Sequence, residues 1–155
     1  MKLILFIISA VLLTVTTIVN AEGLSPQDYM EIQQLYARYN KAIDSGDAEA
    51  YAAAFMPDGT FNTHQGHDAL VGFINRYVET MNGKLRRHWN TNLVIDGDSK
   101  TASGFVYLMM LDLTQQPPTI STTATYTDLL VKTANGWRST KRITTADRPR
   151  ETTPK

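Results

Sequence analysis

Cysteine is absent from all 155 residues of the chain. That excludes a disulfide scaffold, thiol catalysis, and zinc or iron–sulfur centres built on thiolates. An excess of charge of either sign is also missing, since 15 basic side chains face 15 acidic ones. A nucleic-acid binder carries a basic surplus, so no nucleic-acid partner is expected. An acidic disordered chain is excluded by the same balance. There is no glycine-rich phosphate loop and no G-x-S-x-G nucleophile turn. Internal repeats and interdomain linkers are missing too, and the length suits one core.

Long apolar runs are missing everywhere except at the N-terminus. There, 15 of the first 21 residues are apolar. Lys2 forms a short basic start, Leu3 to Leu13 an apolar stretch broken by Ser9, and Val19-Asn20-Ala21 a small-residue cut site. This layout predicts a secretory signal peptide over 1–21, cleaved after Ala21. An uncleaved anchor is the rival, because the 17 residues from Leu3 to Val19 reach the lower limit for spanning a bilayer. With cleavage, the expected product is an exported protein, periplasmic or secreted, with no membrane contact. Its apolar content, about 39%, is ordinary for a globular domain.

The remaining chain predicts helices first and strands afterwards. Ser25-Pro26-Gln27-Asp28 is a capping box with proline in the first helical turn. Tyr29, Ile32, Leu35, Tyr36, Tyr39 and Ile43 then make one helical stripe, ending at Ser45-Gly46. A second helix is expected over 48–55, stopped by a Pro57-Asp58-Gly59 turn, and a short strand over 60–62. A third helix is expected over 68–81, with Val78 among its apolar residues. From Asn82-Gly83 onward the pattern has period two. Strands are expected over 86–95, 101–113, 120–133 and 137–145, with hairpins at Asp96-Gly97 and Asn135-Gly136. The domain therefore spans 22–145, followed by a disordered tail over 146–155. Helices followed by an antiparallel meander define an α+β fold with a pocket between the layers.

Several strings resemble one family. They are Tyr36-Ala-Arg-Tyr39-Asn-Lys-Ala-Ile-Asp44-Ser-Gly-Asp47, Tyr51-Ala-Ala-Ala-Phe55-Met-Pro-Asp58-Gly59 and Gly66-His-Asp-Ala-Leu70-Val-Gly-Phe73. His88-Trp-Asn-Thr-Asn92-Leu-Val-Ile-Asp96-Gly97-Asp98 and Gly136-Trp137-Arg138 with Arg142 complete the set. In order and spacing they resemble the SnoaL-like branch of the NTF2-like superfamily. The resemblance implies a cone-shaped barrel in which three N-terminal helices pack on a curved antiparallel sheet around one apolar pocket. Relatives include scytalone dehydratase, bile-acid dehydratase, polyketide cyclases and ketosteroid isomerase, but also non-catalytic dioxygenase subunits. Dimers through the sheet are common among them, so a homodimer is expected here.

Candidate chemistry centres on Asp44 and His88. A carboxylate in the last turn of a helix faces the negative end of the dipole, which costs about 0.3–1 kcal/mol. Local propensity does not explain Asp44; in the dehydratase relatives its position orients a strand histidine. Strand parity places His88 with Asn90, Asn92 and Val94 on one face, and Trp89, Leu93 and Ile95 on the other. A carboxylate–imidazole pair can remove a proton α to a carbonyl near neutral pH. The enolate then needs a hydrogen-bond donor, for which Tyr36, Tyr39, Tyr51 and Tyr107 are candidates. Asp112 is the candidate second acid; the strand carries no second histidine. The expected ligand is small, mostly apolar and carbonyl-containing, with no cofactor and no metal. His64, His67 and Asp68 match no standard metal spacing, and Asp96–Ser99 fits a hairpin better than a calcium loop. The blander alternative stays open, in which Asp44 caps the Ser45-Gly46 turn or pairs with Lys41 or Arg38, and His88 is a core histidine. The domain would then be a non-catalytic ligand-binding or dimerisation module.

Overall fold

The fold begins at the capping box. In the computed structural model, which describes residues 23–148, the Ser25 side chain accepts from the Asp28 backbone N–H, and Asp28 accepts from the Ser25 N–H at 2.9 Å. The expected signal segment and all but the start of the expected tail lie outside the described residues. Helix α1 runs Pro26–Ser45 and ends at Gly46, whose φ of 71° suits glycine. Its buried stripe is Ile32, Leu35, Tyr36, Tyr39, Ala42 and Ile43. Tyr29, expected in that stripe, is 41% exposed. Asp28 takes the buried place beside it, where Trp137 Nε1 donates at 3.0 Å and Lys132 Nζ at 2.5 Å. The lysine, above all, holds the Asp28 carboxyl far below the usual carboxylate range.

Helix α2 (Ala48–Ala52) is shorter than expected, because Phe55 already belongs to strand β1 (Phe55–Phe61). The Pro57-Asp58-Gly59 segment is therefore a bulge within β1, where its register against its neighbour shifts, and not a turn that ends a helix. A short β2 (His64–Gln65) pairs with β1, and α3 (His67–Met81) follows. Leu70 and Ile74 of α3 are buried, while Val78 is 46% exposed and faces outward. The meander comprises β3 (Arg86–Gly97), β4 (Thr101–Asp112), β5 (Thr119–Thr133) and β6 (Gly136–Ala146). All of its pairings are antiparallel, as the alternation predicts, and β1 adds in parallel beside β6 to give the order β2-β1-β6-β5-β4-β3. Ala146 pairs with Ala124, and Asp147 N–H donates to Thr123 O at 3.1 Å, so ordered chain continues past the expected start of the tail.

The helices cover one face of the sheet. Ala102, Gly104, Val106 and Leu108 of β4 point inward, as do Ala124, Tyr126, Asp128 and Leu130 of β5. Asp128 is fully buried and Arg142 is 2% exposed. Arg142 donates to both Asp128 oxygens, from Nε at 2.7 Å and from a second guanidinium nitrogen at 3.0 Å. The guanidinium also lies over three rings, 4.0 Å from the centroid of Tyr39 and 4.6 Å from those of Tyr36 and Tyr126. Tyr36 OH donates to Asp128 at 2.5 Å. Burial, and then the Asp128 charge, push the Tyr36 phenol well above its ordinary value, so it remains a donor.

Tyr36 reaches Asp128 only because residue 104 has no side chain. A Cβ there would lie 2.2 Å from the Tyr36 hydroxyl. Gly104→Ala is expected to cost about 1–3 kcal/mol, as overpacking does, measured as a lower denaturant midpoint. Gly23→Ala, which meets nothing within 4 Å, is the control. Equal midpoints for the two variants would show that α1 is not held through Tyr36.

Candidate active site

Asp44 and His88 meet where the last turn of α1 crosses the start of β3. Asp44 Oδ1 lies 2.7 Å from His88 Nδ1. Both Asp44 oxygens also accept from the His88 backbone N–H, each at 3.2 Å. The carboxylate thus holds the ring and its backbone together. The side chains are 12% and 5% exposed, so solvent screens the contact weakly. The Nδ1–H···carboxylate contact assigns the ring's proton to Nδ1 and leaves the Nε2 lone pair free in the neutral form.

Tyr77 of α3 is a phenol that the structure brings against His88. Its ring centroid is 6.3 Å from that of His88. Among the described residues its hydroxyl has only the Met110 sulfur as partner, at 4.0 Å, a weak acceptor. Burial, and then the Asp44 charge, push the Tyr77 phenol up, so it stays protonated. A cleft of about 160 Å³ opens beside Asp44 and Tyr77, lined also by Ile43, Val78, Leu85 and Arg86, and His88 is not among its lining residues. A larger groove of about 510 Å³ lies between α1, α2 and the β5–β6 turn, but none of its lining residues belongs to the Asp44–His88 group. Chemistry locates this site where cavity size does not.

The remaining candidates separate by strand geometry. Asn90 faces inward two residues beyond His88 and accepts from Asn40 Nδ2 at 2.6 Å. Asn92 has a φ of 57° and sits in a bulge between Thr91 and Val94. The bulge inverts parity: Ile95 becomes 8% exposed and Val94 53% exposed, the reverse of the alternation expected from His88. Asn92 is exposed and lies outside the site. Tyr36 is committed to Asp128. Tyr39 and Tyr51 pair through their hydroxyls at 3.1 Å and pack into an aromatic wall with Phe55. Tyr107 is 47% exposed on the outer face, because inward positions on β4 are the even-numbered ones. Asp112 pairs with Arg86 at 3.0 Å and accepts from Thr114, which holds its carboxyl below the usual range. His67 contacts Glu49 and Asp68, and His64 lies against Phe73. Among the described residues, no three His, Asp or Glu side chains gather as a metal site would require.

Asn40, Tyr77 and Asp128 were not singled out by the residue patterns, and Arg142 entered only as part of the final-strand string. Asn40 carries a faint signal, one helical turn before Asp44. Asp128 carries a clearer one, a charge at an inward position of a strand between Tyr126 and Leu130.

Mixed helix and sheet in this order define an NTF2-like, cystatin-like fold. Residues 25–143 match the SnoaL-like domain, and the chain belongs to that family. A Catenulispora acidiphila protein solved in complex with S-DNPA is 30% identical, covering 79% of this chain and 96% of that one, with a TM-score of 0.71. A Mycobacterium tuberculosis protein of unknown function is 27% identical, covering 81% and 80%, with a TM-score of 0.75. An NTF2-like protein from Novosphingobium aromaticivorans is 22% identical over 76% and 80%, with a TM-score of 0.71, a likeness of fold alone. No curated protein matches the chain in sequence.

The geometry predicts one proton position. Nitrogen-15 NMR of the neutral form is expected to find the His88 ring proton on Nδ1, with an Nε2 lone pair. Asp44→Asn is expected to mix the tautomers. A ring protonated on Nε2 in the parent protein would overturn the assignment.

Proposed function

We propose that this protein is an exported, cofactor-free enzyme of the lyase or isomerase type, acting on a small, mostly apolar carbonyl compound. The 2.7 Å contact between Asp44 and His88, reinforced at the His88 backbone, carries the proposal. His88 Nε2 removes a proton from the carbon α to the carbonyl. Asp44 stabilises the imidazolium that forms and keeps the ring in place. Tyr77 O–H donates to the oxygen on which charge develops. The proton then returns to another carbon, which moves the double bond, or it assists departure of a β-hydroxyl as water. A relative's complex with S-DNPA supports binding of a small molecule in this family. The apolar N-terminal segment supports export.

The test is hydrogen–deuterium exchange at the α carbon of a panel of cyclic ketones in D2O, followed by NMR. His88→Ala is expected to slow exchange by about 10²–10⁴-fold, with Asp44→Asn in the same direction. Exchange that survives both substitutions undiminished would sink the mechanism.

We also propose a homodimer through the outer face of the sheet. Trp89, Val94, Tyr107 and Leu129 are each about half exposed there, between 47% and 55%, and the helices cover only the opposite face. Light scattering is expected to show a dimer that Trp89→Lys combined with Tyr107→Lys converts to a monomer. A parent protein that is monomeric at high concentration would rule it out.

A further inference from the structure

Two cations on α1 lack the partner that their helix offers. Within four residues of Lys41 the helix carries one carboxylate, Asp44, and within four of Arg38 it carries none. Side chains on one helix meet at that reach, but Asp44 is turned to His88. Among the described residues, neither Arg38 nor Lys41 forms an ion pair, and Arg138 of β6 forms none either. Both α1 cations precede the last turn of the helix, so its dipole does not account for them. All three line the groove of about 510 Å³ between α1, α2 and the β5–β6 turn. One acid lines it, Asp47, which caps α2 by accepting from the Ala50 N–H at 3.0 Å. Arg138 Nη1 donates to Trp137 O at 2.9 Å, and its other N–H groups remain for a ligand. The rest of the wall is mostly apolar: Leu35 and Ala54 are buried, Ala50 and Ala53 exposed. A solvated charged face needs no such concavity, and this one falls within the range of about 300–1,000 Å³ of small-molecule pockets.

We infer that this groove is a second ligand site, separate from the Asp44–His88 group, and that it takes a small amphipathic carboxylate. Three like charges around one concavity repel one another, and an anion seated among them relieves the repulsion. The carboxylate accepts from the guanidinium groups of Arg38 and Arg138, whose paired donors match its two oxygens, and from the Lys41 ammonium. The apolar body lies against Ala50 and Ala53, which give a polyhydroxylated body nothing to bond. Binding here stands whether or not His88 acts as a base.

Calorimetry with naphthalene-2-carboxylate, naphthalene-2-carboxamide and inorganic phosphate tests the charge and the apolar body separately. The parent protein is expected to bind the carboxylate about tenfold or more tightly than either of the others. Arg38→Gln combined with Arg138→Gln is expected to remove about the same factor with the melting temperature little changed. Amide NMR shifts on titrating the parent protein are expected at Arg38, Lys41, Ala50, Ala53 and Arg138. Phosphate bound as tightly as the carboxylate would reveal a bare anion patch and overturn the ligand class. Equal binding of the carboxamide, binding of no probe, or shifts confined to Tyr77 and His88 would overturn the site.

Discussion

The buried pair of Arg142 and Asp128 is the constraint on which the rest of this structure depends. Two charges taken out of water cost several kcal/mol each before they attract one another. Here the cost is offset by two hydrogen bonds between them, three aromatic rings around the guanidinium and a phenol bonded to the carboxylate. Those contacts come from β5, β6 and α1 at once. Losing any one leaves a charge exposed to an apolar interior, so the three elements have one low-energy arrangement. A purely aliphatic interior would have allowed α1 to slide or turn over the sheet with little penalty.

With Tyr36 anchored, the helix repeat does the rest. Residues four apart lie on one face, so Tyr36, Asn40 and Asp44 descend in line along α1. Tyr36 meets the ion pair, Asn40 meets Asn90, and Asp44 meets His88. The carboxylate sits at the unfavourable end of the helix dipole. Its position is compensated by N–H groups from another element and not by anything local. A floor contact made for stability thereby fixes the distance between a base and the group that orients it.

The fold was largely legible in the sequence because capping and alternation are local signals. Ser25 and Asp28, the Asn135-Gly136 hairpin and the period-two stretches after Asn82 each act within a few residues. The errors arose where tertiary pairing overrode them. Phe55 looks like the end of an alanine-rich helix, yet it pairs with Ser139 far along the chain. Asn92 breaks the parity that assigned the face of β3, and its φ of 57° and the register shift beside it mark the bulge. The site was half legible for the same reason. Asp44 stood out because local propensity opposed it. Tyr77 did not, because a tyrosine on an apolar helix face satisfies every local rule and gains its chemistry only from the histidine beside it.

The distribution of phenols follows from this. Five of the seven tyrosines, Tyr36, Tyr39, Tyr51, Tyr77 and Tyr126, face the interior. Burial raises the pKa of each, so none ionises near neutral pH. They therefore act as donors, and what distinguishes them is whether the donor is already used. Tyr36 spends its proton on Asp128, and Tyr39 and Tyr51 share a bond with each other. Of Tyr36, Tyr39, Tyr51 and Tyr77, only Tyr77 has nothing better than a thioether sulfur among the described residues. A half-buried hydroxyl with so weak a partner costs the fold some stability, and that cost is recovered when an oxygen arrives to accept its proton. It stands next to the imidazole whose action would create such an oxygen. The weakly bonded Tyr77 hydroxyl and the unmet amide groups of Asn40 and Asn90 thus lie on the Asp44–His88 side of α1. On the anchoring side Tyr36 and the Asp128 carboxylate are paired, and one guanidinium nitrogen of Arg142 has no partner among the described residues.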